Sequence, residues 1–142
     1  MSPKKVLITD DSNIFRSLVE AALGKNYEIL QAKDGVEACE IAKKQHPDII
    51  IMDLVMPRMS GMNAIREIRK ENTTASIPVI ALTSAEDEET KRKATRAGFT
   101  DYIVKPFDLV AFKKKVENLL GIQKQQSDSE SEAGEDFFKE EY

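Results

Sequence analysis

The chain has 142 residues, 41% of them apolar and 32% charged, a composition that is typical of one globular domain. One cysteine and one histidine exclude an internal disulfide framework and a metal site built from histidine and cysteine. The formal charge of −4 comes from residues 123–142, and no apolar run reaches the roughly 20 residues of a membrane-spanning helix. We therefore expect a cytoplasmic protein with no nucleic-acid partner and no membrane insertion.

Five short apolar runs recur along the first 104 residues. Each holds three or four residues at the centre of a strand of about four to six residues, and most are rich in β-branched side chains, which favours strands buried on both faces. The runs lie at residues 6–8, 28–30, 49–52, 79–82 and 102–104.

Segments with helical spacing separate these runs. The first carries one apolar stripe, predicted to face the core and to end at a capping glycine, Gly24. The last covers residues 109–120 and ends before Gly121. Weaker patterns cover 36–45, 61–70 and 87–97, and in the last of these only Ala94 and Ala97 can face inward. The residues of the first stripe are Ile14, Phe15, Leu18, Val19, Ala22 and Leu23.

Strands alternating with helices predict an α/β fold, an open parallel sheet covered by helices on both faces. In such sheets, binding residues gather at the carboxyl ends of the strands. Polar or charged residues follow four of the five predicted strands here. Taken singly, each has a local explanation, as a helix cap, as a paired structural carboxylate in the case of Asp53, or as a loop residue in the case of Lys105. Their convergence on one edge favours a shared site made of Asp10, Asp11, Asp53, Thr83 and Lys105.

Three carboxylates close together repel one another, and Lys105 offsets only one of the negative charges. A divalent cation balances the remainder, and oxygen ligands without nitrogen or sulfur select Mg²⁺. Beside such a cation, Asp53 is a feasible nucleophile toward an incoming phosphoryl group. The sequence therefore predicts Mg²⁺-dependent phosphoryl transfer to Asp53.

Residues 4–121 resemble the receiver domain of bacterial response regulators, of the chemotaxis type. The resemblance implies a flavodoxin-like fold with strand order 2-1-3-4-5. It implies that Asp53 is the phospho-acceptor of a two-component phosphorelay and that the bond before Pro106 is cis. The positions that carry it are the acid pair Asp10-Asp11, Asp53 in the stretch 51–57, Gly61, the switch residues Thr83 and Tyr102, and Lys105.

The resemblance also supplies partners and a switch. The backbone carbonyl of Val55 is implied as a Mg²⁺ ligand beside Asp10, Asp11 and Asp53. The phosphoryl donor is implied to be a sensor histidine kinase or a histidine phosphotransfer protein. Phosphorylation is implied to draw Thr83 and Tyr102 inward and to rebuild the surface of the fourth helix, fifth strand and fifth helix, which contacts a downstream protein.

Three alternatives compete with this interpretation. The first is a phosphatase of the haloacid dehalogenase type, which also carries a phosphoryl group on an aspartate at the end of a strand. Such phosphatases need a second aspartate two residues later, where this chain has Val55. We therefore expect that this chain is not an enzyme. A receiver-like binding module that works without phosphorylation is the second. The third is that the chain is a receiver fragment of a larger regulator with an output domain. The main interpretation is a single-domain regulator that acts through protein contacts.

The predicted domain covers residues 1–121, and residues 122–142 are predicted to be a flexible acidic tail. Residues 123–142 hold two lysines and seven acidic residues. A solvated extension explains this composition, but Phe137, Phe138 and Tyr142 also fit a docking segment for the basic fourth and fifth helices. Of the remaining residues, His46 is predicted in a surface loop, Cys39 in the core, and Met56, Met59 and Met62 in ordinary packing.

Overall fold

The computed structural model describes residues 3–84 and 87–121. Within them, five parallel strands form one sheet in the order β2-β1-β3-β4-β5, which confirms the predicted fold class and strand order. Strand β3 pairs with β1 on the side opposite to β2, so the order in which strands are added to the sheet reverses between β1 and β3. In open parallel sheets, a binding crevice forms at the carboxyl ends of the strands at such a point. The strands are β1 Lys4–Thr9, β2 Tyr27–Ala32, β3 Ile49–Asp53, β4 Val79–Thr83 and β5 Asp101–Val104.

Each of the five helices begins at a serine or aspartate whose side chain accepts a backbone N–H of the first turn. These caps set the starts of the helices within one residue of the predicted positions. Gly24 caps the end of the first helix, as the sequence predicts, with a positive φ of 83° that glycine adopts readily. The helices are α1 Asn13–Leu23, α2 Gly35–Gln45, α3 Gly61–Lys70, α4 Glu88–Ala97 and α5 Leu109–Leu119.

The core lies in two layers, one on each face of the sheet. Residues of α2, α3 and α4 pack with one face, and residues of α1 and α5 pack with the other. Strands β3 and β4 are buried throughout, as predicted. The same prediction is wrong for β2 and β5, which are only partly buried because an edge strand has a neighbour on one side only.

The predicted apolar stripe of α1 is also partly wrong. Val19 and Leu23 are buried, but Ile14 is 82% exposed and Leu18 is 51% exposed. The six apolar residues span more of the helix circumference than the sheet and α5 can cover, so one edge of the stripe faces outward.

The remaining packing predictions hold. Ala94 of α4 is buried and Ala97 is half-buried, so this helix has a thin apolar contact with the sheet. Cys39 is buried against α3, and the three methionines around the β3–α3 loop pack on the same core layer. His46 is exposed and ends α2 with a φ of 51°. Among the described residues, none of the helices has the length and apolar character to cross a membrane.

Candidate functional site at the carboxyl edge of the sheet

The parallel strands bring four predicted site residues to one edge. Asp10 follows β1, Asp53 ends β3, Thr83 ends β4 and Lys105 follows β5. The register of the strands fixes their positions along the sheet, because Asp53 pairs with Leu82 and Thr83 pairs with Val104. The predicted convergence at the carboxyl edge of the sheet is therefore present in the structure.

The three acidic residues form one cluster. Carboxylate oxygens of Asp10, Asp11 and Asp53 lie within 4.8 Å of one another. Asp10 and Asp53 are buried, whereas Asp11 is exposed at the mouth of the site. Three carboxylates at this spacing are a donor set for a hard divalent cation, so the residues fit Mg²⁺ on chemical grounds.

Lys105 bridges the two buried carboxylates. Its Nζ lies 2.8 Å from Asp10 Oδ2 and 2.9 Å from Asp53 Oδ2. The second oxygen of each carboxylate accepts a backbone N–H, that of Ser12 for Asp10 and that of Val55 for Asp53. Both carboxylates are thereby held in fixed orientations by one ammonium and two peptide groups.

Burial raises the pKa of Asp53, although the hydrogen bonds from Lys105 and from the Val55 N–H act in the opposite direction. For Lys105, burial disfavours the charged ammonium, but the hydrogen bonds to Asp10 and Asp53 outweigh it and raise the pKa. The two hydrogen bonds that Asp53 accepts, at 2.9 Å from Lys105 Nζ and 3.1 Å from the Val55 N–H, favour its charged form.

An aromatic ring packs against the ammonium group of Lys105. Its Nζ lies 4.3 Å from the centroid of the Phe15 ring, a cation–π distance. Phe15 stacks edge-to-face on Phe107, whose ring contacts Phe112 in the core. The Lys105 N–H also donates to the Thr83 carbonyl at 2.7 Å, and the bond to Pro106 is cis, as the family resemblance implies.

Gly61 has a steric reason to be glycine. A Cβ at this position would lie 2.3 Å from the carbonyl oxygen of Asp53. Its N–H donates to the Leu54 carbonyl at 3.0 Å, which closes the β3–α3 loop. The first residue of α3 therefore packs directly on the backbone of the predicted acceptor.

The two predicted switch residues lie on neighbouring strands. Thr83 is buried at the end of β4, while Tyr102 of β5 is half-buried and packs on the core layer of α2, α3 and α4. Lys91 of α4 places its Nζ 5.6 Å from the centroid of the Tyr102 ring. Tyr102 thus contacts the helix that has the thinnest apolar contact with the sheet.

A sequence model of the response regulator receiver domain matches residues 6–117. The chain belongs to this family. Chemotaxis protein CheY of Halobacterium salinarum is 43% identical over 105 residues, which are 73% of this chain and 86% of that protein. This receiver domain spans about half or less of the length of several other curated relatives, including a probable transcriptional regulator and a sensor histidine kinase.

Solved structures agree with this assignment. Chemotaxis protein CheY4 of Vibrio cholerae shares 33% identity and a TM-score of 0.77, covering 83% of this chain and 99% of that one. The receiver domain of sensor histidine kinase PA1611 from Pseudomonas aeruginosa, 29% identical, also has a TM-score of 0.77, over 84% of this chain and 99% of that one. That structure contains a magnesium ion coordinated in its active-site cleft.

The sequence predictions missed several residues that shape the site. The aromatic support by Phe15 was not expected, because the spacing of α1 indicates only that this residue is apolar. Arg16, which donates from Nη1 to the Asp10 carbonyl at 2.6 Å, gave no signal. Asp34 and Arg58 were also missed, although they form an ion pair at 2.8 Å beside the β3–α3 loop. The Asp-Gly pair at 34–35 before a helical pattern was a usable capping signal.

Proposed function

We propose that this receiver domain accepts a phosphoryl group on Asp53 in a Mg²⁺-dependent reaction and works as the switch of a two-component phosphorelay. The observation that carries the proposal is the Lys105 bridge between the two buried carboxylates, with Asp11 beside them. A structural ion pair needs one carboxylate, whereas this cluster holds three. Excess negative charge at one sheet edge is suited to a divalent cation, which can in turn bind the oxygens of a phosphoryl group.

In the proposed reaction, an oxygen of Asp53 attacks the phosphorus of a phosphohistidine. The new P–O bond forms as the P–N bond breaks, and the imidazole leaves with a proton from solvent. Asp10, Asp11 and Asp53, with the carbonyl of Val55, would hold Mg²⁺, which supplies positive charge to the transferring oxygens. Lys105 lies within 2.9 Å of Asp53 and is placed to pair with the phosphoryl group.

The proposed product is an acyl phosphate that acts as a signal rather than a catalytic intermediate. The residue two positions after Asp53 is Val55, whose exposed side chain has no proton to give or take. This supports a phospho-acceptor over a phosphatase of the dehalogenase type. The intact cluster likewise favours phosphorylation over a binding module that works without it.

Apolar side chains beside the site favour a protein as the donor. Ile14 and Leu18 are exposed one turn apart on α1, and Val55 is 77% exposed next to the acceptor. Exposed apolar residues near a reactive group are typical of a docking surface. We infer that a histidine kinase or phosphotransfer protein contacts this surface when it delivers the phosphoryl group.

We propose that the signal leaves through α4, β5 and α5. A phosphoryl group on Asp53 offers oxygens to the Thr83 hydroxyl, and movement of Thr83 opens space toward Tyr102. A shift of a two-state equilibrium from 1:99 to 99:1 takes about 5.5 kcal/mol. A few charge-assisted hydrogen bonds to the phosphoryl group, of roughly 1.5–3 kcal/mol each, can supply that free energy. The Lys91 contact couples Tyr102 to α4, so the ring and the helix are expected to move together.

Phosphorylation is tested by incubation with acetyl phosphate and Mg²⁺, followed by intact-mass measurement. One phosphate per chain is expected, and it is expected to be absent without Mg²⁺ and absent in Asp53→Asn. Asp11→Asn is expected to raise the Mg²⁺ concentration needed. An unchanged mass shift in Asp53→Asn would rule out the assigned acceptor.

Docking is tested with Ile14→Ser. This change is expected to slow transfer from a phosphorylated histidine phosphotransfer protein about tenfold, because an exposed apolar anchor is lost. The rate with acetyl phosphate is expected to stay unchanged, since a small donor needs no docking surface. Equal rates with the protein donor for Ile14→Ser and the unaltered chain would contradict the proposed surface.

A further inference from the structure

The loop between β3 and α3 contains a strained turn at Arg58. Its φ is +64°, a left-handed value that residues with a side chain rarely adopt. The Met59 N–H donates to the Pro57 carbonyl at 2.7 Å, two residues back, which closes a γ-turn around Arg58. Turns of this kind with positive φ are rare, and they persist only where the surrounding structure holds them in place.

Two contacts to the start of α2 hold this turn. The Arg58 guanidinium donates to both oxygens of Asp34, at 2.8 Å from Nε and 3.2 Å from Nη2. The Asp34 carboxylate is only 3% exposed and also accepts the Glu37 N–H, so α2 fixes its position. The Gly35 N–H donates to the Met59 carbonyl at 3.1 Å, and a Cβ on Gly35 would lie 2.4 Å from that oxygen.

The same loop carries Val55, three residues before Arg58. At its start, the Val55 N–H is fixed by Asp53 Oδ1, and at its end the Gly61 N–H closes on Leu54. Arg58 also lines an open cleft of about 460 Å³ whose lining includes Asp11. The path of the loop between these fixed points therefore sets where the Val55 carbonyl lies relative to the acidic cluster.

We propose that Arg58 is a positioning residue for the cation site: its two-pronged pair with Asp34 clamps the strained turn, and the clamped loop aims the Val55 carbonyl at the acidic cluster. This inference rests on the proposed Mg²⁺ site. Arg58 does not touch the acceptor, and it acts through Asp34 and the loop backbone.

The sign of the effect on Mg²⁺ affinity separates this role from simple electrostatics. Arg58 carries a positive charge close to a site for a cation. If charge were its only influence, removal of the guanidinium would strengthen Mg²⁺ binding. If Arg58 positions a ligand, removal weakens binding, because residues that orient metal ligands typically contribute about 10- to 100-fold in affinity.

The decisive variant is Arg58→Gly, because glycine adopts the positive φ without strain and lacks the guanidinium. We expect isothermal titration of the full chain with Mg²⁺ to give an affinity on the order of tenfold weaker than that of the unaltered chain. Arg58→Lys keeps the charge but not the planar guanidinium, and it is expected to weaken Mg²⁺ binding too, by a smaller factor. With saturating Mg²⁺, phosphorylation of Arg58→Gly by acetyl phosphate is expected to recover.

Two further variants test the route through Asp34. Asp34→Asn keeps a capping oxygen for α2 but removes the ion pair, and it is expected to weaken Mg²⁺ binding. Combined with Arg58→Gly, it is expected to add little, because both changes release the same clamp. Lys70→Gln is the matched control: it removes a cation from an exposed ion pair with Glu67 at the far end of α3, and Mg²⁺ affinity is expected to stay the same.

Unchanged or tighter Mg²⁺ binding in Arg58→Gly would overturn the inference, as would additive losses in the double variant. If the unaltered chain itself bound no Mg²⁺, the proposed function would fail instead. Urea unfolding without Mg²⁺ checks that each variant is folded. Arg58→Asn is the substitute if the glycine variant is not, since asparagine also tolerates positive φ.

Discussion

Two buried threonines differ in whether the hydroxyl has a partner. Thr9 of β1 and Thr74 of the α3–β4 loop are at most 1% exposed. The Thr74 hydroxyl donates to the Ile68 carbonyl at 2.7 Å. Within the described ranges, the Thr9 hydroxyl is the buried side-chain oxygen that has no hydrogen-bond partner. A desolvated hydroxyl without a partner costs free energy that a methyl group of the same shape does not.

Thr9→Val is therefore expected to raise the free energy of unfolding by about 1 kcal/mol. Thr74→Val is the matched control and is expected to lower it by about 1–3 kcal/mol, because the Ile68 carbonyl loses its partner. Urea denaturation of both variants measures the two values. Destabilisation by Thr9→Val would show that the hydroxyl has a partner, such as a buried water.

At the scale of elements, α3 and α4 differ in how they are fixed to the sheet. Helix α3 buries four residues, whereas α4 buries one, Ala94. The end of α4 is instead held by a side chain of α3. Arg69 donates to the Gly98 carbonyl from Nε and Nη2, at 3.0 and 2.8 Å, and from Nη1 to the carbonyls of Ala75 and Ile77.

Arg69 thus connects α3, the α3–β4 loop and the α4–β5 turn through backbone carbonyls, with one longer contact from Nη2 to the Thr100 hydroxyl at 3.5 Å. Burial lowers the pKa of its guanidinium, but the group stays charged because an arginine loses its proton only far above neutral pH. Since its contacts are to neutral groups, mostly carbonyls, the geometry of the guanidinium matters more than its charge. A lysine cannot reach three carbonyls at once.

Arg69→Lys is expected to lower the free energy of unfolding by about 2–3 kcal/mol, because several charge-assisted hydrogen bonds are lost and the carbonyls stay half-buried. Arg66→Lys is the control, one turn earlier on α3, where the exposed arginine donates to Asn63 within its own helix. Its effect is expected to stay within about 0.5 kcal/mol. Equal losses in the two variants would show that Arg69 contributes only through general helix properties.

At the scale of the whole molecule, one sheet separates two core layers, and the site is the place where the loops of both layers meet. Lys105 rests on Phe15, which belongs to the layer of α1 and α5. The Arg58 clamp belongs to the opposite side, where α2 and α3 pack. The acidic cluster therefore has Lys105 on the side of one layer and the loop that Arg58 holds on the side of the other.

The predicted tail, residues 122–142, lies outside the described residues, and the domain boundary stays a prediction. A chain that ends at Ile122 is expected to unfold with the same free energy as the full chain within about 0.5 kcal/mol, since no described core residue lies beyond Leu120. Urea denaturation checks this. A loss of more than 1 kcal/mol would mean that the tail packs on the domain.

The docking alternative for the tail has its own readout. If Phe137 and Phe138 dock on the basic surface of α4 and α5, their joint change to serine speeds phosphotransfer and amide exchange in these helices. If the tail is a solvated extension, the double serine variant behaves as the full chain does. Because the change leaves every charge in place, it separates apolar docking from electrostatic attraction.

Local sequence patterns determined much of this molecule. Hydrophobic period and capping residues predicted five strands and five helices, because each depends on neighbours within a few positions. The acidic site was predictable for a related reason. Parallel strands must bring their carboxyl ends to one edge, so Asp10, Asp53 and Lys105 needed no knowledge of side-chain packing to be grouped.

Only the tertiary structure decided which parts of a pattern are covered and which distant side chains support the site. The exposure of Ile14 and Leu18 depends on how far α5 extends over α1. The hydrophobic periodicity of α1 alone does not contain this information. Arg58 and Asp34 are 24 residues apart, and Phe15 and Lys105 lie in different elements. Such pairs form because the fold brings separate loops together, and nothing in the local chemistry of either segment requires the partner.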